Sequence, residues 1–122
     1  MQANAYQQYQ QNQQQSINAL SPMAIIVKMF TEAEKEILKA GIYIDNKNFA
    51  LANKSIIKIQ GIVHSLKTSL DMDYEISSNL LALYEYFFAQ LVEANLKKDK
   101  GILMEILPMI TELKDTFTQI SN

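Results

Sequence analysis

The chain has 122 residues, a formal net charge of −2 and 11 basic residues, all of them lysine, and it contains no cysteine. These values exclude a disulfide framework and a thiolate metal site, and lysines dispersed on an acidic chain argue against a nucleic-acid partner. With only three glycines and two prolines, the composition favours a single all-α domain.

The chain shows no sign of a membrane-spanning or secretory segment. None of its apolar runs reaches the roughly 20 residues that a membrane-spanning helix needs. The N-terminus is rich in glutamine and uncharged, whereas a secretory signal is basic and then apolar. We therefore expect a soluble protein that stays in the compartment where it is made.

Residues 1–20 are predicted to form an N-terminal arm or cap outside the folded domain. The first 15 residues contain eight glutamines, a composition typical of a disordered polar tail. Tyr6 and Tyr9 lie three positions apart, however, so one helical turn would bring both rings to the same side. The arm is therefore either a disordered tail or a short amphipathic segment that docks through these two tyrosines.

Residues 21–122 are predicted to form the folded domain, which begins with a helix over about residues 22–44. Ser21 followed by Pro22 is typical of a helix start, because serine caps the first turn and proline there lacks only an N–H that would have no helical partner. Apolar residues then recur every three or four positions, opposite a charged face. The apolar stripe comprises Met23, Ile26, Phe30, Ala33, Ile37, Ala40, Gly41 and Ile44.

A second helix is predicted over about residues 48–70, after a short turn of Asp, Asn and Lys. Its apolar residues follow an unbroken pattern of steps of three and four. Gly61 lies inside this helix, where glycine costs about 1 kcal/mol relative to alanine. We expect a close approach of another helix at this glycine. The apolar stripe comprises Phe49, Ala52, Ile56, Ile59, Val63, Leu66 and Leu70.

Two further helices are predicted over about residues 75–97 and 100–120. Pro108 lies inside the last one, where it removes the hydrogen bond to the Met104 carbonyl, so we expect a kink or a broken turn. Four helices of about 20 residues joined by short turns predict an antiparallel up-down four-helix bundle. The core stripes comprise Ile76, Leu80, Leu83, Phe87, Leu91 and Ala94 in the third helix, and Leu103, Ile106, Ile110, Leu113, Phe117 and Ile120 in the fourth.

The helices carry more apolar residues than these four stripes account for. Some of the excess could be additional core, since helices in small bundles often use three of seven positions. The alternative, which the wide apolar sector of the third helix favours, is a groove that receives an amphipathic helix of a partner. The residues assigned to this binding surface are Ile57, Ile62, Leu81, Tyr84, Phe88, Val92 and Leu107.

The sequence contains no recognisable catalytic or metal site. His64 is the only histidine, and a single histidine on a helix flank is usually an ordinary boundary residue. Asp71, Asp73 and Glu75 lack the glycine and terminal glutamate of a calcium loop, so we expect them to stabilise the start of the following helix. We therefore predict that the protein is not an enzyme and binds no metal or cofactor.

Several stretches, taken in order, resemble one known family. They lie at residues 4–12, 20–22, 25–30, 70–80, 83–86, 93–95 and 113–117. With them the chain resembles the flagellar secretion chaperone FliS family over essentially its whole length. Three positions depart from the family pattern: Ala89–Gln90 stands where relatives usually carry two arginines, Phe117 stands in place of a tryptophan, and Pro108 is unusual in the last helix.

The resemblance implies a cytoplasmic bundle that binds the disordered C-terminal segment of flagellin, prevents its premature polymerisation and keeps it competent for flagellar type III export. It also implies that the arm lies over part of the binding surface, with Tyr6 and Tyr9 at the anchoring positions. A co-chaperone or an export-gate component is a further expected partner, and the protein is expected to be a monomer or a weak dimer. The alternative is a structural bundle that self-associates and has no flagellin client.

Overall fold

The computed structural model describes residues 22–121, and all of the regular structure in that range is helical. The elements are α1 (Pro22–Asp45), α2 (Phe49–Thr68), α3 (Glu75–Lys97) and α4 (Lys100–Ser121). The arm predicted over residues 1–20, with its anchors Tyr6 and Tyr9, lies outside the described residues and stays a prediction.

The four helices form a closed ring in which each neighbour runs in the opposite direction. Each helix packs against the next one along the chain, and α1 also packs extensively against α4. At the start of α4, Lys100 Nζ lies 2.6 Å from Oδ2 of Asp45, which ends α1. Farther along α4, Lys114 Nζ lies 2.9 Å from Glu34 Oε1 of α1. These two ion pairs show that α1 and α4 run antiparallel. The prediction of an all-α, antiparallel four-helix bundle is confirmed.

The core is built from the predicted apolar stripes and from aromatic contacts that cross the bundle. The Phe30 ring of α1 stacks on Phe117 of α4 at 5.6 Å and lies 6.4 Å from Tyr84 of α3, measured between ring centroids. Three elements therefore share one aromatic layer. The largest fully enclosed aliphatic side chains are Ile37, Ile56, Ile59, Leu91, Leu103, Ile106 and Ile110.

Hydrogen bonds fix the turns that join the helices. The Asn48 side chain accepts a hydrogen bond from the Leu51 backbone N–H at 3.4 Å and caps α2. Before α3, the Asp71 carboxylate accepts from the Asp73 N–H at 3.0 Å, and the buried Ser77 hydroxyl donates to the Asp71 carbonyl. Asp71 therefore shapes the loop itself.

The prediction for Gly61 is wrong, and of the two alternatives for Pro108 the broken turn is wrong. Gly61 is exposed, and a Cβ atom added there would meet nothing within 4 Å; a close approach occurs instead at Gly41, whose added Cβ would lie 3.3 Å from Lys100 Cε. Gly61 faces solvent, so no neighbouring helix can reach it. Pro108 does not end α4, which continues to Ser121. Because Pro108 is exposed, water can donate to the Met104 carbonyl in place of the missing N–H. The kink expected at Pro108 stays a prediction.

The predicted core stripes also fail at three helix ends. Phe49, Ile76 and Ile120 are 45%, 63% and 61% exposed, although each continues the spacing of its stripe. Each lies in the first or last turn of its helix, beyond the part that the neighbouring helices cover. Periodicity therefore locates the stripes correctly but does not show where the covering helix ends.

Candidate docking groove

A groove runs along the surface between α2 and α3 and contains a cavity of about 180 Å³. A polar pair crosses the groove at each end. At one end, Asn95 Nδ2 donates a hydrogen bond to Asn53 Oδ1 at 2.7 Å. At the other end, Lys67 Nζ lies 3.6 Å from Glu85 Oε1. The side chains lining the cavity are Val63, His64, Lys67, Tyr84, Glu85, Phe88 and Ala89. We call this surface the α2–α3 groove.

Large apolar side chains stand exposed between these polar pairs. Ile57, one turn after Asn53, is 53% exposed, and Val92, about one turn before Asn95, is 37% exposed. Phe88, one turn before Val92, is 40% exposed and also lines the cavity. Because residues three or four apart share a helix face, the two helices present these three side chains to the same groove.

Leu81 extends the same row toward the start of α3. It lies four residues before Glu85 and seven before Phe88, and it is half-buried. Four of the seven residues predicted to bind a partner, namely Ile57, Leu81, Phe88 and Val92, therefore lie along one groove. Their binding of a partner stays a prediction.

The prediction that Tyr84 is a surface residue is wrong. Its side chain is only 2% exposed and packs near Phe30 in the aromatic layer. Tyr84 lies three and seven residues before Phe87 and Leu91, so it shares their core face rather than the neighbouring one. Burial raises the pKa of Tyr84 to about 12. One edge of the residue still lines the cavity, so Tyr84 forms part of the groove floor.

Ile62 and Leu107 do not belong to the α2–α3 groove either. Both are partly buried against the core. Ile62 follows Lys58 by one turn, and Lys58 bonds Glu36 of α1, which places Ile62 on the α1 side of α2. Leu107 precedes Thr111 by one turn, and Thr111 bonds α1 as well. The seven residues assigned to partner binding therefore divide among three seams and the core.

Sequence reasoning missed several polar residues of the groove. The sequence predicts an ordinary flank residue at His64, yet His64 lines the cavity beside Phe88 and Ala89. The signal that could have found it is its spacing of seven residues from Ile57, which puts both on one face of α2. The pairing of Lys67 with Glu85 joins two helices and has no signature in the sequence.

In residues 22–121, no group of three or more His, Cys, Asp or Glu side chains could hold a metal ion. Within the same range, none of the helices is long and apolar enough to cross a membrane.

Comparison with known proteins gives a consistent family. The family model described as Flagellar protein FliS matches residues 3–122. The chain is 33% identical over 116 residues to the Flagellar secretion chaperone FliS of Bacillus subtilis, which covers 95% of this chain and 85% of that protein. It is 29% identical over 121 residues to the Flagellar secretion chaperone FliSB of Pseudomonas aeruginosa, covering 97% and 96% of the two chains.

A third relative has the same description. The Flagellar secretion chaperone FliS of Salmonella typhimurium is 26% identical over 109 residues, which cover 87% of this chain and 81% of that protein. The family model and the relatives span nearly the whole chain, including the helices that form the groove. The chain therefore belongs to the FliS family of flagellar secretion chaperones.

Proposed function

We propose that the protein binds the disordered C-terminal segment of flagellin in the α2–α3 groove. There it covers the apolar faces through which flagellin assembles and keeps the client competent for type III export from the cytoplasm. The observation that carries the proposal is the exposure of Ile57, Phe88 and Val92 along one seam. Exposed apolar residues grouped between polar ends are typical of a protein interface, and such a surface acts by binding rather than by catalysis.

The dimensions of the groove suit a helical ligand. Asn53 and Lys67, which mark its two ends, are about 14 residues apart on α2, or roughly 21 Å along the helix axis. A bound amphipathic helix of similar length would present apolar residues every three or four positions to the groove. The Lys67–Glu85 and Asn53–Asn95 pairs would then lie at the polar rim.

The energetics favour reversible binding. A segment that is disordered when free must be ordered on the chaperone, at a cost of about 2–5 kcal/mol. The cost lowers the net affinity relative to the buried area, so the client can be released to the export apparatus. A co-chaperone or an export-gate component could then bind a surface that the client leaves open.

The arm over residues 1–20 would regulate this groove. Tyr6 and Tyr9 would occupy it in the absence of client, since tethering gives the arm an effective concentration of about a millimolar. A variant that starts at Ser16 should therefore bind a flagellin C-terminal peptide as tightly as the full chain or more tightly, measured by calorimetry. Much weaker binding by this variant would mean that the arm contributes to the site instead of blocking it.

The main test replaces Phe88, and Tyr86 provides a matched control. Both are aromatic residues of α3 with similar exposure, 40% and 43%, but they lie two positions apart and so face different directions. In calorimetry with the flagellin C-terminal peptide, Phe88→Asp should weaken binding by about tenfold or more, as expected for an aromatic interface anchor. Tyr86→Asp should change the affinity by less than about threefold. Equal losses from the two variants would contradict the proposal.

Light scattering on the same variants tests the alternative of a self-associating bundle. The full chain is expected to be a monomer or a weak dimer whose state does not depend on Phe88. A concentration-dependent dimer that Phe88→Asp abolishes, and that the flagellin peptide leaves unchanged, would favour self-association through α3 over a client groove.

A further inference from the structure

The other flank of α2 carries a second, chemically different depression. A cleft of about 270 Å³ lies between α1 and α2, on the opposite flank of α2 from the α2–α3 groove. Three lysines surround it, Lys39, Lys54 and Lys58, and Glu36 and Ser55 form its floor. We call it the α1–α2 cleft.

A buried carboxylate holds two of these lysines in place. Glu36 is only 2% exposed, and its Oε1 lies 3.1 Å from Lys58 Nζ and 3.3 Å from Lys39 Nζ. Burial alone would raise the pKa of Glu36, but the hydrogen bonds from the two lysines outweigh it and hold the pKa below its ordinary value. Lys58 Nζ also lies 3.0 Å from Glu32 Oε1, so two of the three N–H donors of its ammonium group bond carboxylates of α1.

Two polar groups in the cleft have no partner among the residues that the structure describes. Lys54 makes no ion pair with any carboxylate in residues 22–121. Ser55 is 6% exposed, and its hydroxyl forms no hydrogen bond with the described residues. No fully enclosed side-chain polar atom in the described range lacks a partner, so the Ser55 hydroxyl retains access to solvent. Because Ser55 lines the cleft, this access is through the cleft.

The charge balance of the cleft selects the type of ligand. Three lysines stand against Glu36 and Glu32, which leaves one positive charge uncompensated on a chain whose formal net charge is −2. One unpaired ammonium group suits a singly charged carboxylate better than a free multivalent anion. The cleft also has an apolar rim, since Tyr43 and the 40% exposed Leu51 line it. This rim would contact the residues that flank the carboxylate in a peptide.

We propose that the α1–α2 cleft binds an acidic side chain of a peptide segment from a second protein partner. The carboxylate would accept hydrogen bonds from the Lys54 ammonium and the Ser55 hydroxyl, and the neighbouring residues of the peptide would pack on Leu51 and Tyr43. The cleft and the α2–α3 groove lie on different flanks of α2, so both can be occupied at once. This site does not depend on the proposed flagellin binding, so either proposal can be wrong without the other.

The test uses the full chain and a fluorescein-labelled 12-residue peptide of Glu, Ala and Leu, with a control peptide that carries Gln in place of each Glu. Fluorescence anisotropy should show binding of the acidic peptide and none of the control peptide. Lys54→Glu should weaken binding by about tenfold, because it replaces attraction by repulsion. Lys35→Glu, at an exposed lysine of α1 outside the cleft, makes the same change in net charge and should weaken it by less than about twofold.

A second variant tests the hydroxyl. Ser55→Ala should weaken binding of the acidic peptide by about threefold, as expected for the loss of one hydrogen bond. The control peptide should still show no binding. Lys54→Met, which removes the charge but keeps the aliphatic stem, serves if Lys54→Glu fails to fold. Circular dichroism and the urea unfolding midpoint establish that each variant retains the bundle.

Several outcomes would overturn the proposal. Equal weakening by Lys54→Glu and Lys35→Glu would mean that only long-range charge attracts the peptide. Displacement of the peptide by a few millimolar inorganic phosphate would assign the cleft to a small anion instead. Competition between the acidic peptide and the flagellin C-terminal peptide would make the cleft part of the client's path. No binding up to millimolar peptide would exclude the site.

Discussion

The two flanks of α2 meet their neighbouring helices in opposite ways. Toward α1, a nearly enclosed carboxylate at Glu36 bonds Lys58 across the seam, and the two backbones pack extensively. Toward α3, packing is less extensive, and large apolar side chains such as Ile57 and Phe88 remain exposed. In the α1–α2 seam, two half-exposed lysines hold the enclosed Glu36 carboxylate, and we expect this bonding to contribute to stability. The exposed apolar side chains of the α2–α3 seam form the proposed client groove.

The largest expected difference is between two isoleucines of α2. Ile59 is 0% exposed in the core and Ile57 is 53% exposed in the groove. Ile59→Ala should lower the free energy of unfolding by about 2–5 kcal/mol, because it leaves a cavity. Ile57→Ala should change it by less than about 0.5 kcal/mol and should weaken flagellin-peptide binding instead. Urea unfolding and calorimetry measure the two effects; a loss above about 1.5 kcal/mol for Ile57→Ala would show that the groove wall is core.

The second comparison replaces one glutamate in each seam. Glu36→Gln, in the α1–α2 seam, should lower the free energy of unfolding at pH 7 by about 2 kcal/mol, because the enclosed group loses charge-assisted bonds to two lysines. Glu85→Gln, in the α2–α3 seam, should cost less than about 0.5 kcal/mol, since the Lys67–Glu85 pair is solvent-exposed. Equal costs would mean that the two seams do not differ in the way proposed.

The pH dependence sharpens the same comparison. Because the pKa of Glu36 is lowered in the folded state, its contribution is present above the ordinary carboxyl value of 4.5 and is lost as pH falls through the folded-state pKa. The difference in unfolding free energy between the parent chain and Glu36→Gln should therefore shrink below about pH 4.5. Urea unfolding at a series of pH values measures it, and a difference that persists in strong acid would contradict this assignment.

A smaller effect is expected at Gly61, on the exposed side of α2. Gly61→Ala should raise the free energy of unfolding by up to about 1 kcal/mol, because alanine favours the helix and the added methyl group meets no neighbour. Gly41→Ala is the matched control and should raise the free energy of unfolding by less, because its methyl group would lie 3.3 Å from Lys100 Cε. Thermal unfolding of the two variants measures the difference, and destabilisation by Gly61→Ala would mean that another helix covers this side.

The smallest effect at neutral pH concerns Tyr84, on the groove floor. Because burial raises its pKa to about 12, the neutral ring contributes stability that is complete below pH 10, the ordinary tyrosine value, and is lost as pH rises from there toward 12. Tyr84→Phe should therefore flatten the loss of stability above pH 10. Absorbance titration should show one tyrosine that ionises well above pH 10 in the parent chain and is absent from the variant. A parent chain without such a tyrosine would contradict the burial of Tyr84.

The sequence by itself determined the four helices and their stripes. Steps of three and four are a local property, so Phe30, Ile59, Leu91 and Ile106 could be assigned to the core from their spacing alone. Short turns between helices then require antiparallel neighbours, which is why the bundle was predictable. The presence of excess apolar residues was equally visible in the sequence.

Only the tertiary structure decided which of those residues share a surface. Each residue turns a helix by about 100°, so residues at the edge of a stripe can face the core, either neighbouring helix or solvent. Tyr84 lies in the core, and Ile62 and Leu107 pack at the seams with α1. Phe88 lies at the α2–α3 groove. A spacing pattern describes one helix, whereas burial and a bond such as Lys58–Glu36 depend on the position of a second helix that the pattern does not contain.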